Sequence, residues 1–269
     1  MLKNRLIPVV LLREGVVVQS KRFGRYQLLG NPATIVERLS DWASDELIYL
    51  DISGRRDYDL GRDDLAQGRT SDLLSILREI SRRCFMPMAF GGGLRTVEDC
   101  AERVANGADK VVINTQALHE PEFIDRCAKE FGAQCVVVCI DAKQTVDQTW
   151  EVFAERGKRP TGRSPDQWAK ECQERGAGEI LIQSIDRDGT GQGYDVPLVR
   201  SIARAVQVPV IALGGVGQWG HLADGLIEGE ADAVSAANIF NYSENSVLKA
   251  KRSLFEAGLN VREPSLASH

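Results

Sequence analysis

The segment Met88-Ala89-Phe90-Gly91-Gly92-Gly93-Leu94-Arg95 reads as a short apolar strand that breaks into glycines before a polar, helix-forming stretch. Ile211-Ala212-Leu213-Gly214-Gly215-Val216-Gly217 repeats it, and the step from Gly91 to Gly214 is as long as the step from Ala108-Asp109 to Ala231-Asp232. Two landmarks kept in step suggest a duplicated half rather than a chance match. Outward from these segments, short β-branched runs alternate with stretches of helical period, the pattern of a parallel sheet. Candidate strands fall at residues 6–12, 47–51, 86–90, 110–114, 135–141, 180–184, 208–213 and 233–237. Candidate helices fall near residues 31–44, 71–83, 96–106, 121–130, 165–175, 195–206, 218–228 and 244–257. Several of these open on helix-start signals: Asn31-Pro32, Ser71-Asp72, Glu120-Pro121, Ser164-Pro165 and Asp195 through Pro197. Eight such units in 269 residues suit one (β/α)8 barrel, an α/β TIM barrel with duplicated halves. A doubly wound sheet would explain the alternation but not the matching halves. The barrel is expected over residues 1–258, followed by a polar tail at 259–269 that frays.

Composition bounds the class. With 43% hydrophobic and 26% charged residues the chain can bury a sizeable core, and a formal net charge of -5 gives no broad positive field to attract nucleic acid. The apolar run at residues 6–12 is too short to span a membrane, so a cytoplasmic protein is expected. Cys84, Cys100, Cys127, Cys135, Cys139 and Cys172 form no C-x-x-C pair and read as reduced core residues. His119, His221 and His269 stand apart from any second ligand, so neither a metal nor another cofactor is expected. Acid-base work would then fall to carboxylates or lysine.

In a parallel barrel, ligands bind at the carboxyl ends of the strands. Gly92 and Gly93, with Asn114 and Thr115 at the next strand end, could cradle a phosphate-bearing small molecule through backbone N–H groups. Gly214, Gly215 and Asn238 offer the same in the second half. Taken singly, either glycine group is more often a tight turn; paired in two halves, they favour two phosphate sites. Asp51, Asp141, Asp186 and Asp188 end strands, where partial burial can raise a carboxyl for proton transfer. A helix cap, or a salt bridge to Lys143 or Arg187, is the plainer account of any one of them.

Arg5-Leu6-Ile7-Pro8, Asp45 through Ile52, Gly91 through Arg95, Gly107 through Val111, Ile140 through Lys143, Arg159 through Gly162, Gly178 through Leu181 and above all Asp186-Arg187-Asp188-Gly189-Thr190 together resemble the imidazole glycerol phosphate synthase cyclase-subunit family over nearly the whole chain. The resemblance implies a barrel of the ribulose-phosphate-binding type that takes ammonia from a partner glutaminase along its axis and closes an imidazole ring on a bisphosphorylated substrate. It implies residual catalytic roles for Asp141, Asp188 and Asp51, and phosphate contacts from Gly189 as well as the glycines above. It also implies an ammonia gate of Arg5, Glu46, Lys110 and Glu179 on the N-terminal ends of alternate strands, with Asp109 and Gln134 at the glutaminase face. Four such charges could instead serve only to close the barrel bottom.

The chain departs from the family's pattern at its mouth. Leu11 stands where the family's first acid-base aspartate is expected and Gln19 where its loop lysine is expected. Losing a general acid or base costs about a hundredfold to ten-thousandfold in rate; Glu14 is the nearest carboxylate in sequence that could compensate. Leu213 and Asn238 replace hydroxyl residues at the second phosphate site, and the loop from Gly54 to Thr70 is longer and more charged than usual. Ile7-Pro8 with its apolar run, Cys84-Phe85-Met86-Pro87 and Ile211 through Gly215 are similar to a paralogous branch associated with sugar amidation. That branch implies a barrel which, with its glutaminase, supplies ammonia to a sugar amidotransferase making acetamidino sugars for surface polysaccharide, the amidotransferase lying at the C-terminal face. An active cyclase and a non-catalytic sugar-phosphate-binding scaffold are the alternatives.

Overall fold

The computed structural model describes residues 3–42, 44–53, 73–241 and 246–264. In chain order its elements are β1 (Arg5–Arg13), β2 (Val16–Lys21), β3 (Arg25–Gly30), α1 (Pro32–Asp41), β4 (Leu47–Asp51), α2 (Leu73–Ser81), β5 (Met88–Gly91), α3 (Val97–Ala105), β6 (Lys110–Ile113), α4 (Thr115–His119), α5 (Glu122–Phe131), β7 (Val136–Gln144), β8 (Trp150–Ala154), β9 (Arg159–Pro160), α6 (Pro165–Glu174), β10 (Glu179–Ser184), α7 (Val196–Ala205), β11 (Val210–Leu213), α8 (Trp219–Ile227), β12 (Ala233–Ala236) and α9 (Val247–Glu256). The expected helix start at Ser71-Asp72, Ala43, the loop at residues 54–70 and the first residues of the last expected helix lie wholly or in part outside the described residues.

Parallel pairing runs β1–β4–β5–β6–β7–β10–β11–β12 and returns to β1, closing an eight-stranded barrel. Each strand is apolar on both faces, as a sheet covered by helices requires. In β1, Leu6, Val10 and Leu12 pack outward under the helices, while Ile7, Val9 and Leu11 pack into the lumen with Ile48, Ala89, Val112, Val137, Leu181 and Ile211. Helix starts follow the sequence signals: Asn31 and Asp195 cap α1 and α7, each ahead of a proline in the first turn. Thr96 and Asp99 form a reciprocal capping box on α3.

The duplication has a physical counterpart on the floor. Asp45, Asp109 and Asp232, each just ahead of a strand, accept from the first amides of neighbouring strands: Leu6 N at 2.9 Å, Met88 N at 2.8 Å and Val210 N at 2.9 Å. The glycines, however, match one residue out of step with the aspartates. Left-handed backbone falls at Gly92 and Gly93 (φ 101° and 68°) and at Gly214 and Gly215 (φ 104° and 101°), so Leu213 takes the place of Gly91.

Two antiparallel hairpins were not legible as strands. β2 and β3 extend β1, and β8 and β9 extend β7, both above the carboxyl ends of the barrel strands. The tail also departs from expectation over its described part: Asn4 bridges Val261, which is 1% exposed, and Asn4 N donates to Asn260 O at 2.8 Å. Residues 265–269 lie outside the described residues. Among the described residues no helix is long and apolar enough to cross a membrane. Cys100, Cys127, Cys139 and Cys172 are buried, and Cys84 and Cys135 are partly so; all six are unbridged.

Candidate functional site

The mouth of the barrel is built by the last inward residue of several strands. Register sets Leu11 opposite Leu50 and Val18, Asp141 opposite Gln183, and Gln183 opposite Leu213. Leu11 is 8% exposed and belongs to the lumen's apolar cluster, so the mouth is greasy at the position where proton transfer was expected. Gln19, the expected lysine position, lies outside on β2 and donates from Nε2 to Gln27 Oε1 at 2.7 Å. An amide can donate a hydrogen bond but does not ionise near neutral pH, so it cannot take a lysine's place in proton transfer.

Asp141 is an enclosed carboxylate at the upper end of the lumen. Burial pushes its carboxyl up to about 6; hydrogen bonds from Asn114 Nδ2 at 2.9 Å and from Cys139 Sγ at 3.7 Å oppose the rise, and the charge of Asp188 adds to it. Neither Lys143 nor Arg187 forms an ion pair with it; the Lys143 ammonium lies 5.8 Å from the Phe153 ring instead.

Asp188 fastens the first hairpin. Its Oδ2 accepts from Ser20 Oγ at 2.7 Å and from Phe23 N at 3.1 Å, and its backbone oxygen accepts from Arg22 N at 3.0 Å. Burial raises its carboxyl, against those same hydrogen bonds. Arg22 and Phe23 both hold left-handed backbone (φ 51° and 53°), a conformation non-glycine residues keep only when their surroundings hold them there. The second hairpin meets the first overhead: a Cβ on Gly157 would stand 3.0 Å from the Phe23 ring.

One cleft gathers much of the second half's predicted set. Asp188, Gly189, Gly214, Gly215 and Asn238 line it together with Val9, Leu11, Gln183 and Leu213. Gly189 backs directly onto Ser20 O, 2.2 Å from where a Cβ would lie. The amide of Asn238 is committed to the hairpin, donating to Ser20 O at 2.7 Å, and its buried Oδ1 has no partner. Asn114 mirrors it: Nδ2 goes to Asp141 and a buried Oδ1 is left unpaired. Gly92, Gly93 and Thr115 lie in the other half, outside that cleft. Thr115 Oγ1 accepts from Glu155 N at 3.1 Å.

Two expected acid-base candidates do not face the lumen. The alternation that turns Ile48 inward and Tyr49 outward puts Asp51 on the outer side, where it accepts from Ser53 N at 2.9 Å and from Ser53 Oγ in a strand-ending turn. Asp186 accepts from Gln144 N at 2.8 Å and pins the root of the second hairpin. Glu14 lies in the left-handed turn between β1 and β2, its N donating to Ser53 Oγ at 2.7 Å.

At the other end, Arg5, Glu46, Lys110 and Glu179 join. Arg5 Nη1 reaches Glu46 Oε2 at 2.6 Å and Glu179 Oε1 at 2.9 Å; Lys110 Nζ reaches Glu46 Oε1 at 2.6 Å and Glu179 Oε1 at 3.1 Å. These residues sit on or just before the first, second, fourth and sixth strands around the barrel rather than on strictly alternate ones, because the stagger of the strands brings unequal positions to one level. Burial alone would lower the Arg5 guanidinium, but Glu179 and Glu46 outweigh it and hold the group above its usual value. Asp109 and Gln134 are exposed on the same side, Asp109 with one oxygen already bound to Met88 N.

Sequence reasoning missed Gln183 and Ser20. The signal for Gln183 was available: counting by two from Glu179 gives Leu181 and then Gln183 as the inward residues of one strand. Nothing local announces Ser20, whose partner is far along the chain. A family model described as Histidine biosynthesis protein matches residues 5–246.

Proposed function

Because this chain belongs to the histidine biosynthesis protein family, we propose that it is a cyclase-subunit-like barrel that docks a glutaminase at its N-terminal face and carries ammonia along its lumen. Delivery would be to a sugar amidotransferase at the C-terminal face, in surface polysaccharide synthesis, rather than to its own imidazole ring closure. The observation that carries the reading is the contrast between a complete charged ring on the floor and Leu11, an apolar side chain, at the mouth. A ring of mutually paired charges excludes bulk water yet offers polar groups to a small neutral molecule. Above it the lumen is lined by Ile7, Ala89, Val137 and Leu181, which favours ammonia over ammonium in transit.

The test supplies ammonium chloride and the bisphosphorylated cyclase substrate to the purified chain, which removes any need for a glutaminase. No imidazole product is expected, and robust turnover would overturn the reading. With the glutaminase present, Lys110→Ala or Glu179→Ala should reduce the stimulation of glutamine hydrolysis.

A second reading, an active cyclase, is favoured by Asp141. A buried carboxyl raised to about 6 is suited to proton transfer near neutral pH. Asp51 and Asp186 supply no second group to it, since each carboxylate is bound elsewhere, and Glu14 stands in the turn between β1 and β2; Asp188 is the remaining candidate and is tied to the hairpin.

A further inference from the structure

The tips of the two hairpins are strongly basic. Residues 21–25 and 155–159 together carry six cations, Lys21, Arg22, Arg25, Arg156, Lys158 and Arg159, against one carboxylate, Glu155, in a chain whose formal net charge is -5. All six are exposed. Glu155 is taken by Arg159 at 3.4 Å, and among the described residues no carboxylate pairs with the other five. The meeting of Phe23 with Gly157 brings the tips together, and Tyr26 feels both: burial raises its hydroxyl, while the charges of Arg13, at the root of the first hairpin, and Arg156, on the second, oppose the rise.

This arrangement costs the fold stability. Register sets Lys21 directly opposite Arg25 where the ladder of the first hairpin ends at its tip, and like charges facing across an antiparallel pair destabilise it. Arg22 adds a third cation between them, in left-handed backbone. A merely solvated face needs no such crowding, since a glutamate at either position would turn the repulsion into a pair. Cations kept against that cost are accounted for by an anion that meets them from outside.

The surroundings narrow what carries that anion. The cations are spread along two turns on exposed side chains, whereas a small phosphate is held by groups that converge in a concave site. The rest of the chain is acidic and repels an extended polyanion, such as nucleic acid or an anionic membrane, wherever it reaches beyond the tips. The same two hairpins also leave apolar side chains in water, Leu28 at 42% and Val146 at 98% exposed. Apolar area among cations serves contact with a protein and offers nothing to a phosphate.

We propose that the joined tips, through Lys21, Arg22, Arg25, Arg156 and Lys158, dock a partner protein that presents an acidic face with apolar side chains. The proposal rests on the ammonia-delivering function above for the identity of that partner, the enzyme that takes delivery at this end, and not for the chemistry of its recognition.

The experiment uses the full chain and a fluorescein-labelled peptide rich in glutamate and leucine, with binding followed by fluorescence anisotropy. The peptide should bind, and its affinity should fall as salt is added. Arg25→Glu with Lys158→Glu should weaken binding roughly tenfold, the low end for association steered by charge. The same change of charge on the outer helices α5 and α6, Lys129→Glu with Lys170→Glu, should weaken it far less. Arg25→Glu alone should raise the unfolding midpoint, because attraction to Lys21 replaces repulsion. A DNA duplex and vesicles of phosphatidylglycerol should bind more weakly than the peptide, and pyrophosphate at the peptide's concentration should not displace it. No binding of the peptide, an equal loss in the outer-helix variant, a midpoint that does not rise in Arg25→Glu, tighter binding of DNA or vesicles, or displacement by pyrophosphate would each overturn the proposal. The assay holds no ammonia, glutaminase or sugar, so a failure of ammonia delivery leaves its outcome unchanged and is told apart.

Discussion

The two ends of the barrel treat their polar groups in opposite ways. On the floor, Arg5, Glu46, Lys110 and Glu179 bond one another in a ring, and a single atom of the four, Glu179 Oε2, is buried without a partner. At the mouth, Asp141 is bonded by Asn114 and by no cation among the described residues, and Asn114 Oδ1 and Asn238 Oδ1 are buried without a partner. A self-satisfied cluster can stand without a ligand, whereas an incomplete one stores a penalty that a ligand removes. The floor therefore reads as a fixed threshold and the mouth as the binding end.

The largest test breaks the floor. Glu46→Leu leaves Arg5 and Lys110 facing each other with only Glu179 between them, and should cost about 3 kcal/mol in urea unfolding, the low end for a severed buried pair because water reaches both cations. Replacing all four ring residues together with apolar ones should cost far less. If the single and the fourfold changes cost the same, the ring is not a coupled unit.

The next test lies at the mouth and runs through pH. Asp141 is raised from 3.8 to about 6, so the folded chain holds this proton more tightly than the unfolded chain. Its contribution is most favourable below 3.8 and is lost as pH rises towards 6, up to about 3 kcal/mol. Stability of Asp141→Asn relative to the parent should therefore climb across that window and level off above it. A flat difference would mean that the carboxyl is better solvated than its burial implies.

Smaller effects belong to the cover over the mouth. Ser20→Ala removes one of the bonds from the hairpin to Asp188 and should cost about 1 kcal/mol, with faster hydrogen exchange at Phe23 N. Gly157→Ala meets both a left-handed φ of 72° and the Phe23 ring, and should cost about 1 kcal/mol as well. If Ser20→Ala leaves Phe23 exchange unchanged, the hairpin is held by its own strands rather than by Asp188.

The barrel was legible because its information is local: apolar runs of strand length, glycines at their ends, and caps before each helix. The floor ring was legible only through the family resemblance, and its unequal strand positions needed the stagger of the closed sheet. The hairpins were hidden because β2 and β3 mix Gln19, Ser20, Lys21 and Arg25 with valines and are stabilised by a residue as distant as Asp188. Asp51 misled because a carboxylate at a strand end looks the same in sequence whether it turns into the lumen or caps its own turn. Parity with Ile48 and Leu50 would have corrected it.

The meeting of Phe23 with Gly157 joins a loop grown from the first strand to a loop grown from the fifth, and so ties the two repeated halves together above their shared axis. The first of these tips is anchored beneath by Ser20, whose hydroxyl donates to Asp188 and whose backbone oxygen accepts from Asn238. The junction of the two halves therefore stands on the same residues that border the second half's glycines, like a clasp sewn to the strap it closes.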